Sequence, residues 1–287
     1  MNIIESWRRS DFYGVDASRP ELPYRGEAAP SGTALAQLSS PVLDRTLEQV
    51  SEDPVGIVLA DRDGTITHRG AGQRLLLAAM DDNQIEVGFN LAESEVGTNG
   101  VGTSLETKRP TVVVGEEHYL DAYKSFSCAN APIVHPITNR IEGTVGLVCG
   151  AGDAANPLLL PTATLMASQI RQLLLDQARP EERALLEQFL LARKTNSAAV
   201  ATMNRTVLIA TASVQPLLLG LDQAELWDHV EGALRQDQPG DTELSAPSGR
   251  SIRLRCRPVL LGGDVVGAVV EFSNPPQPSA RPKQTPR

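Results

Sequence analysis

Between residues 40 and 150 the apolar positions switch period several times. Val42, Leu43, Leu47 and Val50 recur at helical spacing behind Ser40–Pro41, a cap residue followed by the proline that suits a first helical position. A helix is expected to start there. The run from Val55 to Ala60 predicts a strand, Asp63–Gly64 a tight turn, and Ile66 the start of the returning strand. GQRLLLAAM reads as a helix. A glycine-rich stretch, VGFNLAESEVGTNGVGTSLE, leads into the strand PTVVVG. EEHYLDAYKSF is expected to be helical, and SCANAPIVHP and GTVGLVCG are strands flanking the turn ITNRIEG. Strand and helix do not alternate regularly in this order, which argues against a parallel doubly wound sheet. The fold class expected is α+β, with an antiparallel sheet.

The flanking regions are patterned differently. Ile3, Ile4 and Trp7 have helical spacing, with Arg8 and Arg9 where cations suit the helix dipole. Residues 14–34, rich in Gly, Pro, Ser and Ala, read as a loop. Residues 157–193 are helical by pattern: Met166, Ile170 and Leu173 define one face, and Leu185, Leu186, Phe189 and Leu190 another. Pro180, followed by Glu181 and Glu182, looks like a first turn, so two helices with a break near Arg179–Pro180 are expected. Beyond 195 come a hairpin turning at Asn204–Arg205, the short helix or turn SVQPLLL, the helix ELWDHVEGALRQ, and the strands DTELSA, SIRLRCRPVLL and VVGAVVEFS. Turns are expected at Pro247–Ser248–Gly249 and Gly262–Gly263–Asp264. Ile252, Leu254 and Cys256 alternate with Arg253, Arg255 and Arg257, the period of a half-buried strand. The last fourteen residues contain five prolines and no apolar pattern, as in a disordered tail. The expected division is residues 1–34 as N-terminal helix and loop, 35–175 as the first α+β domain, 176–194 as a connector helix, 195–273 as a smaller antiparallel domain, and 274–287 as tail.

Composition narrows the function classes. A chain of 287 residues makes about two domains. Aromatic residues are only 4%, so the cores must be mostly Leu, Val, Ile and Ala. The net charge of −9 argues against DNA binding by the bulk of the chain. Cys128, Cys149 and Cys256 form no C-x-x-C pair and no disulfide framework, so a reducing, cytoplasmic setting is expected. The charged start MNIIESWRRSDF is unlike a signal peptide, and no apolar run approaches the roughly 20 residues of a membrane span. No membrane partner is expected.

Two segments stand out as candidate chemistry. In Glu95–Thr103, the glycines Gly97, Gly100 and Gly102 permit positive φ, close backbone approach or an anion nest. The segment is neither a phosphate loop nor G-x-G-x-x-G, and the plainer reading is a tight turn packing a helix on a sheet. His118 and Cys128 lie ten residues apart across a helix-to-strand corner. A nucleophilic Cys–His pair and a metal site with a carboxylate are both open, against the plainer reading of a buried apolar Cys with a locally capping His. The Arg253, Arg255 and Arg257 stripe reads as a solvated strand face, and Asp61 and Asp63 as turn chemistry. For Met166, Ile170 and Leu173, core packing and a dimer seam are equally open.

SWRRS, LADRDG and EVGTNGVGTSLETKRPTVVVGEEHYLDAYKSFSCANAPI together resemble the N-terminal sensor region of acetoin/glycerol-catabolism transcriptional activators of the Fis type. The match covers about residues 1–175, with residues 195–273 similar to a PAS-like module. The resemblance implies a GAF domain with helices on one side of its sheet and a ligand pocket on the other. It places Gly97, Thr98, Asn99, Gly100, Thr103, His118, Tyr119, Phe126 and Cys128 on or near that pocket. The implied partner is a small polar metabolite, such as acetoin or related diols and ketones, or a metabolic-enzyme partner. No cofactor or metal is implied. Two departures stand beside it. No Walker A motif and no recognisable helix-turn-helix follows residue 273, so DNA contact is expected only through a missing or separate effector module. Relatives commonly carry an acid or amide where Gly146 stands.

Three functions follow. The first is a signal-sensing regulatory protein that passes ligand or partner binding through connector helices, as a homodimer pivoting near Pro180. The second is a ligand-free interaction scaffold, favoured over the first if the pocket is filled and disfavoured by an empty cavity of about 300 Å3 or more. The third is a cysteine-dependent GAF reductase, which needs a thiolate with a resolving cysteine nearby.

Overall fold

The computed structural model describes residues 3–19, 21–26, 30–153, 157–195, 199–218, 221–235, 241–245 and 251–273. The chain divides into two compact units, Met1–Gln177 and Ala178–Arg287. The first contains α1 (Ile3–Tyr13), α2 (Pro30–Gln49), β1 (Val55–Asp61), β2 (Ile66–Ala71), α3 (Arg74–Asp82), α4 (Glu93–Val96), α5 (Gly100–Thr107), β3 (Thr111–Val114), β4 (Phe126–Val134), β5 (Ile141–Gly150) and α6 (Leu159–Gln177). Its five strands form one sheet in the order β2-β1-β5-β4-β3, antiparallel throughout.

Strand alternation gives this sheet two different faces. Ile57, Leu59, Ala129, Ile133, Val145 and Cys149 point to one side, where α2 and α6 cover them with Leu43, Met166 and Ile170. Met166 and Ile170 are buried and Leu173 packs against the same core, so this stripe serves the unit's own core. Val58, Phe126, Cys128 and Val148 point to the other side, against α3, α5 and the segment carrying Leu120 and Tyr123. Asp61 caps the β1–β2 turn, accepting from the N–H groups of Asp63 and Thr65, as turn chemistry predicts.

Three local expectations are corrected. Helix α2 starts at Pro30, so Pro41 lies inside it; the extra turns bring Leu35 into the core, and that burial offsets the lost amide donor. EEHYLDAYKSF forms no α-helix. It folds as two 3₁₀ turns, Gly115–Glu117 and Asp121–Tyr123, because His118, Leu120 and Tyr123 all turn inward at spacings no single helix face allows. Helix α1 exists, but its inward face is serine: Ser6 and Ser10 are fully buried while Ile4 is exposed.

That polar face docks α1 onto α4 and α5. Ser6 Oγ donates to Glu93 Oε1 at 2.8 Å and lies 2.7 Å from Thr98 Oγ1. Ser10 Oγ accepts from the Thr98 N–H, and Arg9 pairs with Glu93 at 2.9 Å. Trp7 Nε1 donates to Glu117 O, and the Trp7 ring meets Tyr119 edge-on.

The second unit has α7 (Pro180–Lys194), β6 (Val200–Met203), β7 (Leu208–Ala210), α8 (Gln223–Leu234), β8 (Asp241–Ser245), β9 (Ser251–Leu261) and β10 (Asp264–Ser273). The sheet order is β7-β6-β10-β9-β8, again antiparallel. Pro180 opens α7 as expected, and Glu182 accepts from the Arg179 N–H. Helix α7 packs on this sheet, with Thr202 donating to Leu185 O, and α8 fills the core with Leu226, Trp227 and Val230. Ile252, Leu254 and Cys256 are buried, as the alternation predicts. Arg257 and Arg253 pair with Glu271 and Glu243 at the surface. The turn at 247–249 and the tail from 274 lie outside the described residues.

Glycine sets how closely α5 lies on β4 and β5. A Cβ on Gly146 would stand 2.6 Å from Asn130 Oδ1, and nearer still to the rest of that amide; one on Gly100 would stand 2.7 Å from Cys128 Cβ. Gly146→Ala is therefore expected to destabilise the first unit by about 1–3 kcal/mol, with Gly152→Ala, which meets nothing within 4 Å, as the silent control. Adding Asn130→Ala should restore part of the loss. Ser6→Val should cost about 1–3 kcal/mol by removing buried hydrogen bonds to Glu93 and Thr98, whereas Phe12→Ser on the exposed side should stay within about 0.5 kcal/mol. Urea unfolding followed by Trp7 fluorescence checks both.

Candidate functional site

A cavity of about 20 Å3 lies between α5, the 3₁₀ segment and the sheet face opposite α2 and α6. Its walls are mainly apolar: Val58, Ile85, Leu91, Val101, Phe126 and Val148. Five of the residues expected at a pocket line it: Asn99, Gly100, His118, Phe126 and Cys128. Tyr123 and Asn130 line it too and were not expected, as does Gly146, the position where relatives commonly carry an acid or amide. Asn130 was legible in principle, since it follows Phe126 and Cys128 at period two on β4.

Gly97, Thr98, Thr103 and Tyr119 are not among the lining residues. Gly97 turns the chain between α4 and α5 at φ +72°, with Tyr119 against its Cα. Thr98 and Thr103 give their hydroxyls to the α1 contact. Tyr119 donates to Asp11 at the surface, and that bond pushes its pKa up to about 12.

Most of the N–H groups that an anion nest would use are already taken. The N–H groups of Gly97, Thr98, Asn99, Gly102 and Thr103 are taken by Glu93 O, Ser10 Oγ, Thr103 Oγ1, Asn99 Oδ1 and Asn99 O. Asn99 caps α5 in an extended conformation. Its Nδ2 donates to the Leu91 and Gly97 carbonyls, so its whole amide is spent on structure.

Three other polar atoms at the cavity have no protein partner. His118 Nε2, Tyr123 OH and Asn130 Nδ2 are buried without a hydrogen bond. His118 is fully buried, and its Nδ1 lies 3.1 Å from Gly115 O. Burial pushes its pKa down to about 4, so the ring is neutral near pH 7. Burial holds the Tyr123 phenol well above its ordinary pKa. The His118 and Tyr123 rings meet edge-on, with centroids 6.2 Å apart.

Neither cysteine reading gains support. Burial pushes the Cys128 thiol up to about 12, so it stays protonated and a poor nucleophile. His118 Nε2 bonds to nothing, Cys128 included. Cys149 packs into the core on the opposite face of the sheet, out of position to resolve a Cys128 intermediate. Among the described residues no three His, Cys, Asp or Glu side chains cluster as metal ligands. Among them, too, no helix is long and apolar enough to cross a membrane.

Comparison with known proteins places this architecture. Residues 1–172 match the family described as MimR, N-terminal domain. The chain is 34% identical over 253 residues to the propane 2-monooxygenase operon transcriptional activator MimR of Mycolicibacterium smegmatis, covering 88% of this chain and 43% of that protein. It is 30% identical over 199 residues to the acetoin dehydrogenase operon transcriptional activator AcoR of Bacillus subtilis, covering 65% of this chain and 31% of that one. The chain thus spans less than half the length of these activators. In fold it resembles a chain of the E. coli DhaR(N)–DhaL complex, with a TM-score of 0.56 at 15% identity over 94% of this chain and 97% of that one. Two antiparallel α+β units, the first with α2 and α6 on one face and a cavity beneath α5 on the other, agree with the GAF- and PAS-like fold that the resemblance implied. Through residues 1–172, this chain belongs to the MimR N-terminal domain family.

Proposed function

We propose that this chain is the signal-receiving part of a transcriptional regulator, and that its first unit detects a small neutral molecule in the cavity between α5 and the sheet. The observation that carries this is the set of three buried polar atoms, on His118, Tyr123 and Asn130, that face an otherwise apolar cavity without partners. An unpaired buried group costs roughly 1–3 kcal/mol, and a bound polar molecule would recover much of that. No charged residue lines the cavity, which favours a neutral ligand. In this reading the protein works in the cytoplasm and reaches DNA through an effector module on a longer chain or on a separate one. Self-association would use the connector helix α7, where Leu190 and Leu191 are exposed.

The cavity's size favours a second reading. About 20 Å3 is far below the roughly 300 Å3 of an ordinary ligand pocket, as expected of a scaffold whose output comes from a protein partner. The E. coli DhaR(N)–DhaL complex, a fold neighbour, is an assembly with such a partner. The orphaned atoms weigh against a fully filled, purely structural interior, and so the ligand reading is preferred.

Screening small alcohols, diols and ketones by thermal shift and calorimetry tests this. A true ligand at a hundred times its Kd should stabilise the first unit by about 2.7 kcal/mol, and Asn130→Leu or Tyr123→Phe should weaken it about tenfold per lost hydrogen bond. If no compound shifts the melting temperature, and these variants leave reporter output unchanged, the scaffold reading replaces it. The state of His118 makes a separate prediction. It titrates at 6.5 when unfolded and at about 4 when folded, so between those values the unfolded chain holds more protons. The stability that this neutral His contributes is whole above pH 6.5. It falls as pH drops through the window and is lost below about pH 4, roughly 3 kcal/mol in all. His118→Gln should flatten that part of the urea-stability profile.

A further inference from the structure

We infer that the first unit carries a second binding site, a pocket between the end of α2 and the first turn of α6, which takes a hydrophobic molecule ending in an ammonium group. The pocket opens on the core under α2 and α6, across the sheet from the small cavity, and stands independently of the reading given for that cavity.

Its volume is about 350 Å3, inside the roughly 300–1,000 Å3 of ordinary ligand pockets. Val55, Leu147, Cys149 and Leu159 line it, all buried members of the core beneath α2 and α6. The Cys149 thiol is turned toward Ser127 O at 3.7 Å, so these residues offer little polarity of their own. Leu158 lines the pocket as well, and 66% of its surface is exposed. Apolar surface thus runs from solvent down to the core. A bound apolar body would remove that surface from water, which is favourable in proportion to the area covered.

Charge fixes the head group. Among the described residues that line the pocket, Asp53 alone is charged. It is exposed, and nothing among the described residues pairs with its carboxylate. Helix α2 ends just before Val50, which lines the same pocket, and no basic residue stands in its last turn. The negative end of its dipole is therefore unanswered too. A carboxylate ligand would meet both negative charges with no Lys, Arg or His in the lining to hold it. An ammonium group is attracted by both. Beside an exposed aspartate it keeps part of its hydration, which avoids the penalty of burying a charge.

The test uses phenethylamine, phenethyl alcohol and hydrocinnamate, which share one apolar body and differ in a cationic, neutral or anionic head. Each is titrated into the full chain and followed by the methyl resonances of leucine and valine. Phenethylamine should shift Val55, Leu147 and Leu159 and leave Val58 and Val101, which wall the small cavity, where they are. It should bind tighter than the alcohol and about threefold or more tighter than hydrocinnamate, a preference that shrinks as salt is raised. Asp53→Asn, at an exposed position, should level the three. Thr162→Trp, on the pocket wall and checked for folding by its thermal transition, should abolish binding, and Leu158→Ser should weaken it. The alcohol or the acid binding as tightly as the amine overturns the ligand class. No methyl shift with any of the three, or shifts confined to Val58 and Val101, overturns the site itself.

Discussion

The second face of the first sheet depends on one close contact, the Asn130 side chain held between Gly146 and Gly100. Asn130 and Gly146 are direct cross-strand partners, and Gly100 opens the helix lying over them. Neither glycine leaves room for a Cβ. Helix α5 can therefore approach the sheet closely, and it does so over an amide where an apolar side chain would pack with less penalty. An interior packed to ordinary density has no need of a buried amide whose nitrogen is unpaired. Its presence beside His118 and Tyr123 puts three unpaired polar atoms at one cavity, while the opposite face, under α2 and α6, is built mainly of apolar side chains. The rest of the unit bears that cost.

The two faces were unequally legible in the sequence. Strands β1, β4, β5 and β9 were visible because alternation or a continuous apolar run is a direct imprint of burial on a pleated backbone. The break at Pro180 was visible because proline and two acids are local signals. What failed was structure fixed by polar contacts. Ile4 and Trp7 suggested an apolar inner face for α1, yet Ser6 and Ser10 lie inside because Glu93 and Thr98, some ninety residues away, receive them. EEHYLDAYKSF has enough apolar residues for a helix. Gly115 at φ +46° and an extended His118 break it into turns, since the ring and the Gly115 carbonyl bond to each other. No periodicity encodes a bond of that kind.

The candidate site divides along the same line. The glycine-rich stretch and the His118–Cys128 corner do meet at one cavity, as the motif strings implied. The strings did not separate residues facing inward from those facing outward. Thr98 and Asn99 are neighbours with opposite duties, one bonded to α1 and the other walling the cavity. His118 and Tyr119 repeat the pattern, one ring inside and the other against Trp7. A motif covers both members of each pair, and only the backbone path sorts them.

This sorting has a mechanical consequence. The Tyr119 N–H donates to Thr98 O, so the two inside–outside pairs are tied to each other through the backbone. That bond connects His118 and Asn99, one residue away on each side, to Trp7, Ser10 and Asp11 on α1. The joint there is made mostly of hydrogen bonds and one partly exposed ion pair, Arg9–Glu93. Hydrogen bonds exchange readily with water, and each contributes only about 1 kcal/mol net, unlike the apolar seal of α2 and α6 on the far side. Of the joints described in the first unit, the α1 joint is therefore the one held chiefly by hydrogen bonds rather than by apolar burial.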